Sequence, residues 1–362
     1  MAYIQQHATE TPVPVRLGLI GSGWMGAFHG ESITRRVPGA VLAAVADPNL
    51  DSAVSVAAKL GAAKVTADAA DILADPEIDA VIIASPARFH ASLITQAAEA
   101  GKHVFCEKPG AQSLEELDAA LRTVDAAGVH FQIGFNRRYA ADFQAAKKDL
   151  AQGIVGEPQL LRSLTRDPGT GSIGHAARIP AWTIFLETLI HDFDTLNWFN
   201  EGAEPVEVYA AADALVEPGL RDQGFLDTAV VTIRYSNGAL AVAEANFSAL
   251  YGYDVRGEVF GSKGMVQAGR ATETAAVRYS AEGLSADTPR LNVELFRGAY
   301  TDELVDFAAA VRARRDGTQL PSGAYTLTPG AADARRALAM ALACIESVKR
   351  GGPVPVAEKA GV

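Results

Sequence analysis

The feature that most constrains this chain is a glycine-rich turn directly after a short apolar segment near its N-terminus. Residues 15–20 read VRLGLI and predict a buried strand, and residues 21–26 read GSGWMG. A G-x-G-x-x-G pattern between a strand and a helix is typical of dinucleotide binding. Gly21 allows the tight turn, Gly23 lets the backbone approach a pyrophosphate, and Gly26 allows the helix to pack closely on the strand. The new helix directs its free N–H groups at the phosphates.

An acidic residue at a suitable distance supports this interpretation. The apolar residues 41–46 predict a second strand, and Asp47 follows it, 21 positions after Gly26. An acid about 20 residues beyond the turn is placed to bind a ribose 2′-hydroxyl. Residues 48–54 contain no Lys or Arg to bind a 2′-phosphate, so we expect NAD rather than NADP. The alternative, an ordinary glycine turn and an unrelated surface Asp, leaves the spacing unexplained.

Length and charge narrow the function classes. The chain has 362 residues, which is enough for two domains, and its formal net charge of −11 argues against nucleic acid or an anionic membrane as partner. Cys106 and Cys344 are far apart and suggest free thiols in a reducing cytoplasm. Residues 1–13 predict a polar lead-in rather than a signal peptide. The sequence shows no Cys/His cluster of a metal-binding type, so we expect no metal and a cytoplasmic protein.

Residues 14–137 predict an α/β domain with a doubly wound parallel sheet. Strand-like and helical segments alternate there, with apolar strands at 80–84, 103–106 and 129–135. Ligands bind such sheets at the carboxyl ends of the strands. The loops at Gly21, Asp47, Ser85 and Glu107 all follow predicted strands, so we expect them to converge on one cofactor.

Residues 138–350 predict a second α/β domain with a largely antiparallel sheet, and residues 351–362 form a tail. Asn237-Gly238 is a hairpin signal between two strands, and Thr328-Pro329 predicts the N-cap and first residue of the last helix. Because few helices are available to cover this sheet, we expect one of its faces to be an oligomer interface. The predicted strands are 207–212, 228–235, 239–247, 255–260 and 265–267, and the predicted helices are 139–151, one within 179–199, 301–314 and 331–350.

A second group of candidate residues lies in the helix within 179–199. Glu187 and His191 are i, i+4 neighbours, and a carboxylate beside an imidazole fixes its tautomer and stabilises its protonated form. Asp194 is a second candidate partner for His191. A surface Glu–His pair is the alternative, but the apolar residues around it favour burial. Lys108, at a strand end, can donate to a substrate oxygen, unless it is a solvated loop lysine.

Several stretches together resemble the glucose–fructose oxidoreductase/inositol dehydrogenase/MocA (Gfo/Idh/MocA) family. They span nearly the whole chain in the order found in the family, and a further pair resembles its inositol dehydrogenase branch. The first group is Gly-Ser-Gly-Trp-Met-Gly at 21–26, residues 85–90, Glu-Lys-Pro at 107–109, residues 134–139 and residues 184–194; the pair is Tyr-Gly-Tyr-Asp at 251–254 and Gly-Ser-Lys-Gly at 261–264.

The resemblance implies an N-terminal Rossmann domain, a C-terminal domain whose open-faced sheet forms a homodimer or homotetramer, and NAD(P)-dependent oxidation of a sugar or cyclitol hydroxyl. The family's catalytic Lys and Asp-x-x-x-His pair carry over to Lys108 and His191, with Glu187 at the Asp position. Two further departures, Ala87 in place of Asn and Pro-Ala-Trp-Thr at 180–183 in place of a Gly-rich lead, leave the substrate's identity open.

We therefore expect an NAD-dependent dehydrogenase that oxidises a secondary hydroxyl of a cyclitol or pyranose sugar. The alternatives are a glycoside or anhydrosugar 3-dehydrogenase of the same family and a catalytically silent NAD-binding sensor or regulatory subunit. The predicted catalytic residues are Lys108, His191 and Glu187. The predicted cofactor contacts are Gly21, Ser22, Gly23, Trp24, Met25, Gly26, Asp47, Ser85, Pro86, His90, Glu107, Lys108, Pro109 and Asn136. The predicted substrate contacts are Lys108, Arg137, Asp167, His191 and Tyr253.

Overall fold

The first half of the chain forms a six-stranded parallel sheet. The computed structural model describes residues 13–169, 179–318, 325 and 327–357. The strand order is β3-β2-β1-β4-β5-β6. The strands are β1 (Val15–Ile20), β2 (Ala40–Ala46), β3 (Lys64–Thr66), β4 (Ala80–Ile83), β5 (His103–Cys106) and β6 (Phe131–Ile133). The helices are α1 (Trp24–Arg36), α2 (Leu50–Leu60), α3 (Ala69–Leu73), α4 (His90–Glu99) and α5 (Leu114–Ala127).

The strand order explains where a ligand can bind in this sheet. All four residues of β4 are buried, as expected for a parallel strand covered by helices on both faces. The order reverses between β1 and β4, so the loops after these two strands diverge and leave a crevice at their carboxyl ends. The predicted doubly wound parallel sheet is therefore confirmed, and Gly21 and Ser85 lie on the two sides of that crevice.

The second half forms a seven-stranded sheet of order β12-β11-β7-β10-β9-β8-β15. Strands β7 and β10 are parallel and the other pairs are antiparallel, which confirms the largely antiparallel prediction. The strands are β7 (Pro158–Arg166), β8 (Pro205–Asp213), β9 (Thr228–Tyr235), β10 (Leu240–Asn246), β11 (Asp254–Gly261), β12 (Met265–Ala268) and β15 (Val354–Pro355), and a separate hairpin holds β13 (Arg278–Ser280) and β14 (Gly283–Ser285).

Strand β7 was absent from the sequence-based prediction although it lies near the centre of this sheet. Its segment, PQLLRSLTR, does not alternate cleanly between apolar and polar residues. Ser163 and Thr165 occupy buried positions that would ordinarily hold apolar side chains, because their hydroxyls donate to the carboxylate of Asp192. The buried polar side chains of Ser163 and Thr165 therefore interrupt the alternation of apolar and polar residues that would have predicted a strand.

The helices of the second half cover one face of this sheet and also reach the first sheet. The last helix begins at Ala331 after Gly330, and Thr328 instead donates to Asp306, so the predicted Thr328 N-cap is wrong. The helices are α6 (Ala141–Ala151), α7 (Ile190–Phe199), α8 (Asn292–Leu295), α9 (Arg297–Arg315) and α10 (Ala331–Arg350).

Helix α9 packs against the first sheet although it comes late in the sequence. Leu304, Phe307 and Val311 join the buried cluster that contains Leu17 of β1 and Ile33 of α1. This contact places the N-terminal end of α9 close to the carboxyl ends of the parallel strands. Within the described residues, no helix is both long enough and apolar enough to cross a lipid bilayer.

Candidate active site

The turn after β1 has the geometry that its glycines predict. Gly21 adopts φ +101°, and a Cβ atom there would lie 2.7 Å from the backbone of Ala84. A Cβ atom on Gly26 would lie 2.0 Å from the carbonyl oxygen of Gly21, so α1 can approach the turn this closely only with glycine at that position. Apart from its chain neighbours, no atom of the described residues lies within 4 Å of a Cβ built on Gly23, which leaves space for a ligand. We propose that a pyrophosphate binds here.

Asp47 is fixed beside this turn. Its carboxylate accepts hydrogen bonds from the backbone N–H groups of Ser22, at 2.7 Å, and of Asn49, at 2.8 Å. Burial would raise the pKa of Asp47, but these hydrogen bonds outweigh it and hold the pKa below its ordinary value. The carboxylate is therefore ionised at neutral pH and close to the proposed cofactor site.

We expect Asp47→Ser to reduce the preference for NAD over NADP. A carboxylate about 4 Å from a phosphate charge costs up to ~4 kcal/mol at an effective dielectric constant of ~20, and each ~1.4 kcal/mol is a tenfold change in affinity. The kcat/KM ratio for the two cofactors should therefore fall by at least about tenfold in the variant. Asp51→Ser, which removes an exposed carboxylate on α2, is the matched control. Equal kcat/KM for NAD and NADP in the wild type would contradict the proposed role.

His90 joins two of the loops predicted to bind the cofactor. It is buried, its Nε2 lies 2.7 Å from the carbonyl oxygen of Ser85, and its Nδ1 lies 2.7 Å from that of Pro109. The peptide bond between Lys108 and Pro109 is cis. The loops after β4 and β5 are thus held together by one side chain, and Lys108 lies at their junction.

Lys108, Glu187 and His191 lie around one cavity. The ammonium of Lys108 donates to the backbone carbonyl of Glu187 at 3.0 Å, and its Nζ lies 3.8 Å from a carboxylate oxygen of Glu187. The ring of His191 contacts Phe135 edge-on, and its buried Nδ1 has no hydrogen-bond partner among the described residues. Burial, followed by the charges of Lys108 and Arg137, lowers the pKa of His191 well below its ordinary value.

The structure does not pair Glu187 or Asp194 with His191. Residues Ile184–Leu189 form a π-helical turn, and the i, i+4 alignment of an α-helix does not hold in this wider turn. The carboxylate of Glu187, 43% exposed, faces Lys108. Asp194 forms a bidentate ion pair with the buried Arg138. The expected Glu187–His191 and Asp194–His191 contacts are therefore corrected, whereas the catalytic roles of Glu187 and His191 stay predictions.

The segment before this π-helix contains a strained residue. Trp182 has φ +64° and is the one non-glycine residue with positive φ in the described part of the chain. This conformation costs about 1–2 kcal/mol for such a residue. The Trp182 carbonyl accepts hydrogen bonds from the N–H groups of Phe185 and Leu186, and Lys349 lies 5.4 Å from the Trp182 ring. Trp182 thus adopts a backbone conformation that glycine adopts more easily. It lies in the segment where the resemblance implies a Gly-rich sequence.

The predicted substrate contacts include two hydrogen-bonded sets. The Tyr253 hydroxyl donates to Asp167. Burial, together with the Asp167 charge, raises the pKa of Tyr253 well above its ordinary value. The guanidinium of Arg137 bonds Asp192 at 2.8 Å and the Thr165 hydroxyl at 2.7 Å. Arg137 is therefore already engaged by protein groups, and any contact that it makes with a substrate is an additional one.

The cavity between the two sheets has a volume of about 350 Å³. It brings together many of the predicted residues, namely Trp24, Met25, Ser85, Pro86, His90, Glu107, Lys108, Asn136, Arg137, Asp167, Glu187, His191 and Tyr253. It does not include Gly21, Ser22, Gly23, Gly26, Asp47 and Pro109 in its lining. Sequence reasoning missed five polar or aromatic lining residues, namely Thr165, Thr188, Asn292, Phe296 and Tyr300.

Two parts of the chain match one protein family. Residues 15–135 match the oxidoreductase family with an NAD-binding Rossmann fold, and residues 143–267 match the Gfo/Idh/MocA C-terminal domain. The chain belongs to the Gfo/Idh/MocA family. It is accordingly an oxidoreductase whose first half carries the family's NAD-binding Rossmann fold.

Several known proteins are similar to this chain. An oxidoreductase of Bacillus subtilis that is described as uncharacterised is 39% identical over 81% of this chain and 85% of that protein. A myo-inositol 2-dehydrogenase of Thermotoga maritima is 36% identical over 82% of this chain and 88% of that protein. The crystal structure of scyllo-inositol dehydrogenase from Lactobacillus casei, with NAD(H) and scyllo-inositol bound, aligns with a TM-score of 0.88 at 28% identity. It covers 95% of this chain and all of that one.

Proposed function

We propose that the protein is an NAD-dependent dehydrogenase that oxidises a secondary hydroxyl of a cyclitol to the ketone. The observation that carries the proposal is that Lys108 and His191 line one cavity together with Trp24 and Met25 of the glycine-rich turn. Relatives named as myo-inositol and scyllo-inositol dehydrogenases match more than four fifths of the chain, which favours a cyclitol over a pyranose sugar.

In the proposed reaction the substrate loses a hydride from carbon and a proton from oxygen as its C–O single bond becomes C=O. Bound NAD supplies the hydride acceptor. His191 receives the hydroxyl proton, since its lowered pKa keeps the ring neutral at physiological pH. Lys108 donates a hydrogen bond to the same oxygen and stabilises negative charge that develops on it. The Glu187 backbone carbonyl, which accepts from Lys108 at 3.0 Å, orients the ammonium.

Polar groups around the cavity suit a substrate with many hydroxyls. Asp167 and Tyr253 provide a hydrogen-bonded carboxylate and phenol on one wall, and Asn292 adds a further donor and acceptor. A site built to hydrogen-bond hydroxyls rejects analogues that lack them, because its polar groups are then left unpaired. We therefore place the hydroxyls that do not react against Asp167 and Tyr253.

The test is NADH formation by the purified protein with a panel of substrates. We expect myo-inositol or scyllo-inositol to give a kcat/KM at least about tenfold above those of free pyranoses and methyl glycosides. A higher value for a glycoside would support the glycoside 3-dehydrogenase alternative. Tight NAD binding by calorimetry without turnover of any panel member would support the silent sensor or regulatory subunit.

We further propose that the uncovered face of the second sheet joins copies of this chain into a homodimer or homotetramer. Register places Met265, Phe260, Leu160 and Leu240 directly opposite one another across four neighbouring strands. Their exposures are 53%, 48%, 48% and 53%, and a continuous exposed apolar row of this kind marks an interaction surface. We also propose that the protein is located in the cytoplasm, where NAD is available and thiols such as that of Cys106 stay reduced.

Leu240→Asp should shift this assembly toward smaller species. A charge placed in the apolar row opposes burial of that row against a second copy. Sedimentation velocity at micromolar concentration should show a lower mass for Leu240→Asp than for the wild type. Leu284→Asp, a change at a 70% exposed residue of β14, should leave the mass unchanged. A monomeric wild type, or an unaltered mass in Leu240→Asp, would contradict the proposed interface.

A further inference from the structure

A buried group of three ionisable residues lies next to the candidate active site. His29 comes from α1, Glu107 from the loop after β5 and Glu303 from α9. Their side chains are almost completely closed to solvent, and one nitrogen or oxygen of each lies within 4.8 Å of the other two. The proposed reaction uses none of the three directly, and buried ionisable groups are rare unless they are paired. The group therefore requires an explanation.

Glu107 connects His29 to the backbone at Lys108. The Nε2 of His29 lies 2.6 Å from one carboxylate oxygen of Glu107, and the other oxygen accepts from the backbone N–H of Lys108 at 3.2 Å. The carboxylate also packs against Gly134, where a Cβ atom would lie 3.2 Å from it. These contacts fix the Glu107 carboxylate. Its hydrogen bond with the Lys108 N–H then fixes the backbone from which the Lys108 side chain projects.

Unlike Glu107, the Glu303 carboxylate has no compensating contact among the described residues. Both of its carboxylate oxygens are buried without a hydrogen-bond partner among the described residues. His29 of α1 and Glu107 of the loop after β5 lie beside its side chain, and Gln132 of β6 donates to its backbone carbonyl rather than to its carboxylate. An ionised carboxylate without partners is very costly in such a place. Two carboxylates this close together cannot both ionise readily, and one of them retains a proton.

Among the described residues, the titratable groups that face Glu303 neither donate to its carboxylate nor form an ion pair with it. They are Glu107 and His29, together with the phenols of Tyr139 and Tyr300. The charges of Lys108 and Arg137 act on Glu107 and Tyr300, respectively. His29 is already within hydrogen-bond distance of Glu107. The arrangement therefore favours a single carboxylate anion, located on Glu107.

We propose that His29 and Glu303 are positioning residues for Lys108: Glu303 stays protonated, and Glu107 remains the one anion, which His29 holds against the Lys108 turn. This inference rests on the proposed function for Lys108. Burial, and then the charge of Glu107, raises the pKa of Glu303 well above its ordinary value. Burial acts in the same direction on Glu107, but the hydrogen bond and charge of His29 outweigh it and lower the pKa of Glu107.

A divalent cation is the rival occupant of this group. Two ligands bound tetrahedrally to Zn²⁺ at about 2.0–2.1 Å lie roughly 3.4 Å apart. The 2.6 Å between His29 and Glu107 is instead the distance of a short hydrogen bond. The geometry therefore favours a direct hydrogen bond between His29 and Glu107 over a metal bound between them.

The first test detects the proton on Glu303 through the pH dependence of the protein's stability. Glu303→Gln keeps the length of the side chain and removes its ionisation. The folded wild type holds a proton that unfolding releases above pH ~4.3, so its stability falls as pH rises from there toward the folded-state pKa. Between about pH 5 and 7, the unfolding equilibrium constant of the wild type should rise relative to that of Glu303→Gln by roughly tenfold per pH unit. Parallel curves would overturn the proposal.

Two measurements on the wild type keep this test decisive if Glu303→Gln fails to fold. Infrared spectroscopy at pH 7 should show the C=O stretch of a protonated buried carboxyl, which shifts in deuterium oxide, and its absence would overturn the proposal. Metal analysis after dialysis against a chelator should show no bound ion. One equivalent of metal that survives dialysis and is lost on unfolding would overturn the proposal, because a cation rather than a proton would then occupy the group.

The second test measures positioning. His29→Leu should lower kcat by about 10- to 100-fold, since a small displacement of a reacting group is sufficient for such a loss, while KM for NAD changes less than about threefold. His29→Gln, which retains a donor toward Glu107, should recover most of kcat. His103→Leu, at the opposite end of β5, is the control and should stay within about twofold of the wild type.

The outcomes separate this inference from the proposed function. Equal losses in kcat and in NAD affinity, or no rescue by His29→Gln, would reduce His29 to a structural role. A wild type without turnover would contradict the proposed function, but the stability and infrared measurements would still decide whether Glu303 carries the proton.

Discussion

Replacing Lys108 with Met should lower kcat by about 10²–10⁴-fold, the range expected for loss of a positioned proton-handling or charge-stabilising group. Met keeps the length of the side chain and removes the ammonium. The loss should appear in kcat because Lys108 is proposed to contact the reacting oxygen. The dissociation constant for NAD should change less than about threefold, since we expect most of the dinucleotide affinity to come from the turn of residues 21–26 and from Asp47.

The control for Lys108→Met is Lys59→Met. Lys59 is an exposed lysine at the end of α2, and its replacement should leave kcat within about twofold of the wild type. Steady-state kinetics and calorimetric titration with NAD measure the two quantities separately. If Lys108→Met kept more than a tenth of wild-type kcat, Lys108 would not be catalytic.

Replacing His191 with Asn should cause a loss of similar size, about 10²–10⁴-fold in kcat/KM, and should also remove an ionisation from the pH profile. The general base acts only when its ring is neutral, so activity falls as pH drops through its pKa. Burial, Lys108 and Arg137 lower the pKa of His191, which moves this acidic limb below the ordinary value of about 6.5 for histidine. The wild type should therefore keep its activity well into the acidic range.

The pH profile of kcat/KM measures this directly, because kcat/KM reports ionisations of the free enzyme. His90→Asn is not a suitable control, since His90 joins two loops of the site. His130 packs against Phe307, away from the cavity lining, and His130→Asn should keep the acidic limb. An acidic limb centred above pH 6.5 in the wild type, or one that persists in His191→Asn, would assign the base to another group.

The first sheet was predictable because its determinants are local. The left-handed backbone of Gly21 and the close contact of Gly26 with Gly21 arise within the turn itself, and a buried parallel strand such as residues 80–83 is a continuous apolar run. The convergence of Ser85 and Lys108 follows from the rule that parallel strands end at one edge of the sheet.

The partners of His191 were not predictable from spacing. The i, i+4 rule assumes 3.6 residues per turn, whereas Glu187 lies in a π-helical turn and faces Lys108 from a segment 79 positions away in the sequence. Asp194 instead forms an ion pair with Arg138, a buried arginine whose charge needs a carboxylate partner. Such choices depend on which charged groups tertiary packing brings together.

Tyr300 and Glu303 were missed for a related reason. Helix α9 follows the second sheet in the sequence, yet it packs on β1 and α1 and brings these two residues to Glu107 and His29. No local motif in residues 297–315 distinguishes a helix that contributes to the site from one that only covers a sheet. The contact becomes visible only in three dimensions.

If the protein is a cyclitol dehydrogenase, a hydride passes from a ring carbon of the cyclitol to NAD. The most direct measurement uses myo-inositol and scyllo-inositol deuterated at every ring carbon, with analysis of the nicotinamide product and of the rate. We expect one deuterium in each reduced nicotinamide formed, one ketone per NADH, and the loss of both products in Lys108→Met. Reduced nicotinamide without deuterium, or no product from either inositol beside turnover of a glycoside, would contradict the proposed function.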